Sequence, residues 1–234
     1  MNEVVKYWDE NLVAQHVGIE LNWLFNHLDS EDTRELNYVD IGGNVGKFYD
    51  ELIKKYSVKK AIIIEPSKIL FDYMSEKFKG ISNVELHNFA ISDSNGMVKF
   101  IDSAQNATEF FEEKGISNSM NLGLSKLNRM EEGSTQCYSM DYFLRNICSI
   151  EPEKINFIKI DTENTDLFII KNMTDFFIEK QIKPFILFEN NYHNDMSRSE
   201  ALEIIERFCQ TCGYEPVDLS IPGDSFLKPK KSTL

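Results

Sequence analysis

The chain has 234 residues, 42% of them apolar, and a formal net charge of −13. That is long enough and apolar enough for one sizeable α/β core, which excludes bulk disorder. The charge repels nucleic-acid phosphates and anionic lipid alike, so neither is expected as a partner. No apolar run approaches the roughly 20 residues of a membrane span, and MNEVVKYWDE has no basic or apolar leader region, so a cytoplasmic protein is expected. Of the four cysteines, Cys137, Cys148, Cys209 and Cys212, the last two form a C-x-x-C. It is half a zinc site with nothing to complete it, in a helical pattern ending at Gly213, and reads as buried, reduced thiols.

Residues 3–28 carry Val4, Trp8, Val13, Val17, Leu21, Leu24 and Leu28 at helical spacing, which predicts one or two helices and an N-terminal helical cap over 1–36. A short strand over 38–41 follows, then a helix with Val45, Phe48, Tyr49 and Leu52 on one face. VKKAIIIEP predicts a second strand, and Ser67 caps the next helix, which Gly80 ends. Residues 83–90 (NVELHNFA) predict a third strand, DSNG a turn, and 97–101 a further strand. The stretch 103–135 is polar and irregular, the variable part and the candidate acceptor region. A short strand over 136–139 and a helix over 140–147 come next. INFIKID (155–161) is a strand ending in Asp161, with a helix starting near Thr165. PFILFEN (184–190) is a strand carrying Glu189, 198–212 an amphipathic helix, and GYEPVDL a final strand. The main domain is therefore expected over 37–221, with 222–234 a frayed tail.

Alternation of strand and helix predicts a mainly parallel sheet covered on both faces, with ligand over the carboxyl ends of the strands. Those ends carry Asp40, Glu65, Ala90, Asp161 and Glu189, four acids out of five. The dinucleotide fingerprint G-x-G-x-x-G fails, because Asn44 and Lys47 stand where glycines are needed, and no G-K-[ST] marks a phosphate loop. What fits is D-x-G-x-N-x-G: Asp40, Gly42, Asn44, Gly46, with Gly43 between. Asn tolerates left-handed backbone, so Asn44 can fill a glycine-like slot. Glu65, at the end of the second strand, can accept two hydrogen bonds from a ribose diol. Together they point to an adenosine-containing ligand without phosphates.

These residues resemble the FkbM-type methyltransferases of the S-adenosylmethionine-dependent Rossmann-like superfamily. The resemblance runs through VDIGGNVG (39–46), IIIEPS (62–67), VELHNFAISDSNGMVKF (84–100), SMDYFL (139–144), FIKIDTENTDLFIIKNM (157–173) and FILFEN (185–190). It implies a seven-stranded sheet with an antiparallel last strand, S-adenosylmethionine over the strand ends, and O-methylation of a hydroxyl on a sugar or natural-product-like small molecule. By position, Asp40 and Gly42 to Gly46 hold the methionine end and Glu65 with Pro66 the ribose. Asn88, Phe89 and Ala90 flank adenine, and Asp161 faces the sulfonium. The family's D-x-E-G-x-E reads Asp161-Thr162-Glu163-Asn164-Thr165-Asp166 here, and Asn172 replaces a second glycine; Asn is expected to keep the same backbone.

A hydroxyl acceptor must lose a proton, and the candidate bases are His193 and Asp161. His16, His27 and His87 read as structural. Asp161, Glu189 and Asn190 also resemble the magnesium site of catechol-type O-methyltransferases, and Mg2+ would lower the acceptor's pKa. Two other readings stay open: a protein that binds S-adenosylmethionine without catalysis, and a nicotinamide dehydrogenase, which the failed fingerprint disfavours.

Overall fold

The computed structural model describes residues 3–10, 21, 28, 35–105, 125–128, 131–189, 196–217 and 224–230. Its centre is a seven-stranded sheet. Strands β1 (Glu35–Ile41), β2 (Ser57–Ile64) and β3 (Val84–His87) run parallel on one side, and β8 (Phe157–Ile160) and β9 (Phe185–Glu189) continue parallel from β1 on the other. Helices cover both faces: α2 (Lys47–Leu52), α3 (Lys68–Lys77), α4 (Met140–Asn146), α5 (Asp166–Lys180) and α6 (Arg198–Cys212). Sheet order reverses at β1, because the chain leaves β1 toward β2 and returns at β8 on its opposite edge. That switch point is where a doubly wound sheet opens a crevice.

The central strands are buried on both faces, and the two faces are distinguishable in β8. Ile158 and Ile160 join the core beneath α4, α5 and α6, whereas Phe157 packs on the other face against Tyr38 and Phe48, ring centroids 5.3 and 5.9 Å away. Helix starts follow local chemistry. Ser67 Oγ accepts from Leu70 N at 3.4 Å, and Ser197 with Glu200 forms a capping box at α6. The described residues of the N-terminal cap include α1 (Glu3–Trp8), whose Val5 packs with Val45, Leu70 and Tyr73, and the buried Leu21 and Leu28.

Two expectations need correction. NVELHNFA is not one strand: β3 stops at His87, and β4 (Ala90–Ser92) opens a second sheet with β7 (Thr135–Ser139), β5 (Gly96–Ile101) and β6 (Lys126–Asn128). Asn88 makes the break, its Nδ2 donating to the carbonyls of Glu65 and Pro66 at 2.9 and 3.0 Å. Nor are residues 224–229, within the expected tail, frayed. Residues Asp224–Pro229 form β11, antiparallel to β9 and to β10 (Tyr214–Val217), so the domain extends past 221 and β10 is the edge strand. The cause is burial: Phe226 and Leu227 are both fully buried, which outweighs the polar look of FLKPKK.

Candidate functional site

The turn after β1 is built for close approach. Gly42 (φ 82) and Asn44 (φ 51) are left-handed, so Asn44 does occupy a glycine-like slot. The N–H groups of Gly42 and Gly43 both donate to the Ile64 carbonyl at 3.0 Å, tying the turn to the end of β2. A Cβ on Gly42 would stand 1.8 Å from the Asp161 carbonyl oxygen, so the β1 and β8 ends touch there through bare backbone.

Glu65 sits at the join. Its Oε2 accepts from Asn44 N at 2.9 Å and its Oε1 from Ser67 N at 2.8 Å, so one carboxylate fastens the glycine turn to the start of α3. Each oxygen keeps a further lone pair for a ligand. Burial pushes its pKa up to about 8, against the pull of the two N–H bonds and with Asp102 and Asp40 adding repulsion.

Past the end of β8, Asp161, Glu163 and, from β9, Glu189 each offer an oxygen within 4.8 Å of the others. Glu163 is the left-handed residue of this turn (φ 66). Asn164 has no such φ, so the expectation that it preserves a glycine backbone addressed the wrong position. A non-glycine residue there stores about 1–2 kcal/mol of strain, the sort kept at functional turns. Burial, then Asp161 and Asp166, push Glu163 up to about 8. Asp166 braces the turn, accepting from Thr162 Oγ1 at 2.6 Å, and is itself raised by burial to about 6. Beneath lies Lys159, 6% exposed, with Nζ 2.8 Å from Asp161 Oδ2 and 3.8 Å from Asp40 Oδ1. Asp40 is fully buried and raised by burial, with Lys159 and the Tyr38 side chain pulling the other way.

The β1, β2 and β8 ends open onto one cleft. Of the residues singled out in the sequence, Gly42, Asn44, Glu65, Pro66, Phe89, Ala90 and Asp161 line it; Asp40, Gly43, Gly46 and Asn88 do not, Asn88 acting as the carbonyl clamp. Thr162, Glu163, Leu70, Phe100, Ser125 and Leu127 are also in the wall, and sequence reasoning missed them. Lys159 was missed too, although a lone cation inside INFIKID was a legible signal. His193 and Asn190 lie outside the described residues, as do His16 and His27. His87 is structural, paired with Glu85 Oε1 at 2.8 Å and beside Phe89.

A switch-point cleft of this kind, with a glycine turn and a strand-end carboxylate, is where an open α/β sheet takes a nucleoside-bearing ligand. The family model described as the methyltransferase FkbM domain matches residues 40–216, and the chain belongs to that family. Among solved structures, methyltransferase FkbM from Methylobacillus flagellatus KT aligns over 83% of this chain at 16% identity and TM-score 0.51, a likeness of fold. This chain spans 43% of that protein. A SAM-dependent methyltransferase from Leishmania major aligns over 97% of this chain and 80% of its own at 12% identity and TM-score 0.47. No curated protein matches the sequence.

The residues suit the methyl donor. Asn44 Oδ1 is buried with no hydrogen-bond partner among the described residues, an acceptor available to a ligand donor. Glu65 has spare lone pairs.

Proposed function

We propose that this methyltransferase acts on a hydroxyl oxygen of a sugar or natural-product-like small molecule, in the cytoplasm. The observation that carries the hydroxyl reading is the carboxylate group at the methyl side of the cleft. Asp161, Glu163 and Glu189 accept hydrogen bonds when ionised, which suits a ligand presenting O–H donors. No helix among the described residues is long and apolar enough to cross a membrane.

S-adenosylmethionine supplies an electrophilic methyl group on a sulfonium. Glu65 is assigned the ribose diol, Asn44 and the Gly42–Gly43 backbone the methionine end, and Phe89 with Ala90 the adenine. Asp161 is assigned the acceptor proton, with Lys159 holding its carboxylate in place. His193 competes for that role. If the assignment holds, Asp161→Asn is inactive and His193→Ala retains turnover; the reverse pattern gives the proton to His193. Positioning of the two reactants supplies much of the rate.

The magnesium reading has Asp161, Glu163 and Glu189 in its favour and Lys159 against it, since an ammonium 2.8 Å from Asp161 already provides a countercharge. Turnover is therefore expected to persist in excess EDTA; loss restored by Mg2+ would reverse this.

S-adenosylhomocysteine is expected to raise the melting temperature and NAD to leave it unchanged, and the opposite pair of results would sink the proposal. Glu65→Ala is expected to weaken S-adenosylhomocysteine by about 1–3 kcal/mol. pH supplies a second check. Folded, ligand-free Glu65 holds its proton up to about pH 8, whereas an unfolded carboxyl releases it near 4.5. Stability from this group therefore falls as pH rises through that window, and a ligand hydrogen-bonding the ionised form binds more tightly as pH rises. Affinity for S-adenosylhomocysteine should climb about tenfold between pH 6.5 and 8, and Glu65→Gln should flatten the curve.

A further inference from the structure

The small sheet is fastened to the cleft at two places, and both fasteners sit beside donor-site residues. At one, Asp102 Oδ2 accepts from Ser67 Oγ at 2.8 Å, two residues from Glu65. The other Asp102 oxygen accepts from Ala104 N at 2.9 Å, and Ser103 N donates to Ser125 Oγ at 3.0 Å. At the second place, Asn164 Nδ2 donates to the Leu127 carbonyl at 2.9 Å while Leu127 N donates to Asn164 Oδ1 at 3.4 Å. Asn164 thus meets both backbone groups of one residue of β6, much as a neighbouring strand would. Strand β6 has three residues and pairs with β5 at the edge of its sheet, so little else of its ladder holds it in register. Yet Leu127 and Ser125 form part of the cleft wall, together with Glu65 and residues of the glycine turn.

We propose that Asn164 is a positioning residue for the methyl donor: it docks β6 against the Asp161–Asp166 turn and so completes the cleft, although its own side chain is not part of the lining. The same two bonds hold part of the variable stretch against the turn that carries Glu163. The donor cleft and the acceptor side thus share one fastener. Its cost when lost falls on binding, because β6 contributes Leu127, a wall residue that is 6% exposed, to the cleft.

The proposal rests on the donor occupying this cleft. Its test is calorimetric titration of S-adenosylhomocysteine into the wild-type chain, Asn164→Ala, Leu127→Ala and the double variant, with hydrogen exchange followed over 125–128. Asn164→Ala is expected to weaken binding about tenfold and speed exchange in that strand. The double variant is expected to bind within about twofold of Asn164→Ala, because an undocked β6 no longer presents Leu127. Wild-type affinity in Asn164→Ala, or fully additive losses, overturns the proposal. A wild-type chain that fails to bind S-adenosylhomocysteine overturns instead the functional reading beneath it. Asn164→Asp keeps an acceptor for Leu127 N and loses the donor to its carbonyl. Should the alanine variant not fold, several-fold weaker binding by the aspartate variant supports the proposal and wild-type binding overturns it.

Discussion

A chain ending at residue 221 does not reach the native fold: it is expected to lack a cooperative thermal transition. Strand β11 lies between β9 and β10, with Asp224 opposite Glu189 and Leu227 opposite Ile186 on one side, and Phe226 opposite Val217 on the other. Its removal leaves β9 with an unpaired edge and cuts β10 off from the sheet. It also strips Phe185 of its stacking partner Phe226, whose ring lies 5.7 Å away. Phe226 and Leu227 are fully buried, each worth about 1.5–3 kcal/mol by burial alone. With the lost ladder, this consumes most of a typical stability of about 5–15 kcal/mol. Phe226→Ala in the full chain is expected to cost about 3–5 kcal/mol in denaturant unfolding. A soluble 1–221 chain with a native-like melt would refute the role given to β11.

The second large effect belongs to Gly42→Ala. Its methyl would lie 1.8 Å from the Asp161 carbonyl oxygen, a backbone atom that cannot rotate away. Either the turn or the β8 end must move, and both carry donor-site residues. At φ 82 the alanine adds about 1–2 kcal/mol of backbone strain. Donor affinity is expected to fall more than about a hundredfold, and stability by about 2–4 kcal/mol. Gly80 offers an internal control, because it has the same φ of 82 and nothing within 4 Å of an added Cβ. Gly80→Ala should show the strain without the clash and leave donor affinity intact. Equal losses in the two variants would mean that strain, not contact between the strand ends, is what Gly42 relieves.

Much of the site was legible because it is local. D-x-G-x-N-x-G follows a strand within a few residues, and Asn44 takes the left-handed backbone that its slot demands. The strand-end acids follow from where apolar runs stop. Glu65 was found by position, but its grip on Asn44 N and Ser67 N was not, since those partners lie in two different turns. Asn164 shows the converse. Sequence reasoning took it as a stand-in for backbone freedom, whereas its side chain does the work, across 37 residues of chain.

By itself, the sequence determined the alternating α/β class, the switch-point turn, the failure of the dinucleotide pattern and the acids at the strand ends. All of these are written in spacing, because helix and strand periods and turn chemistry act over a few residues. Only the tertiary structure decided that 224–229 is a strand, that NVELHNFA divides between two sheets, that Lys159 sits under Asp161, and that Leu127 walls the cleft. Each depends on partners far away in the chain. Burial of Phe226 beside Phe185, or of an ammonium between two carboxylates, is paid for by contacts that no local pattern encodes.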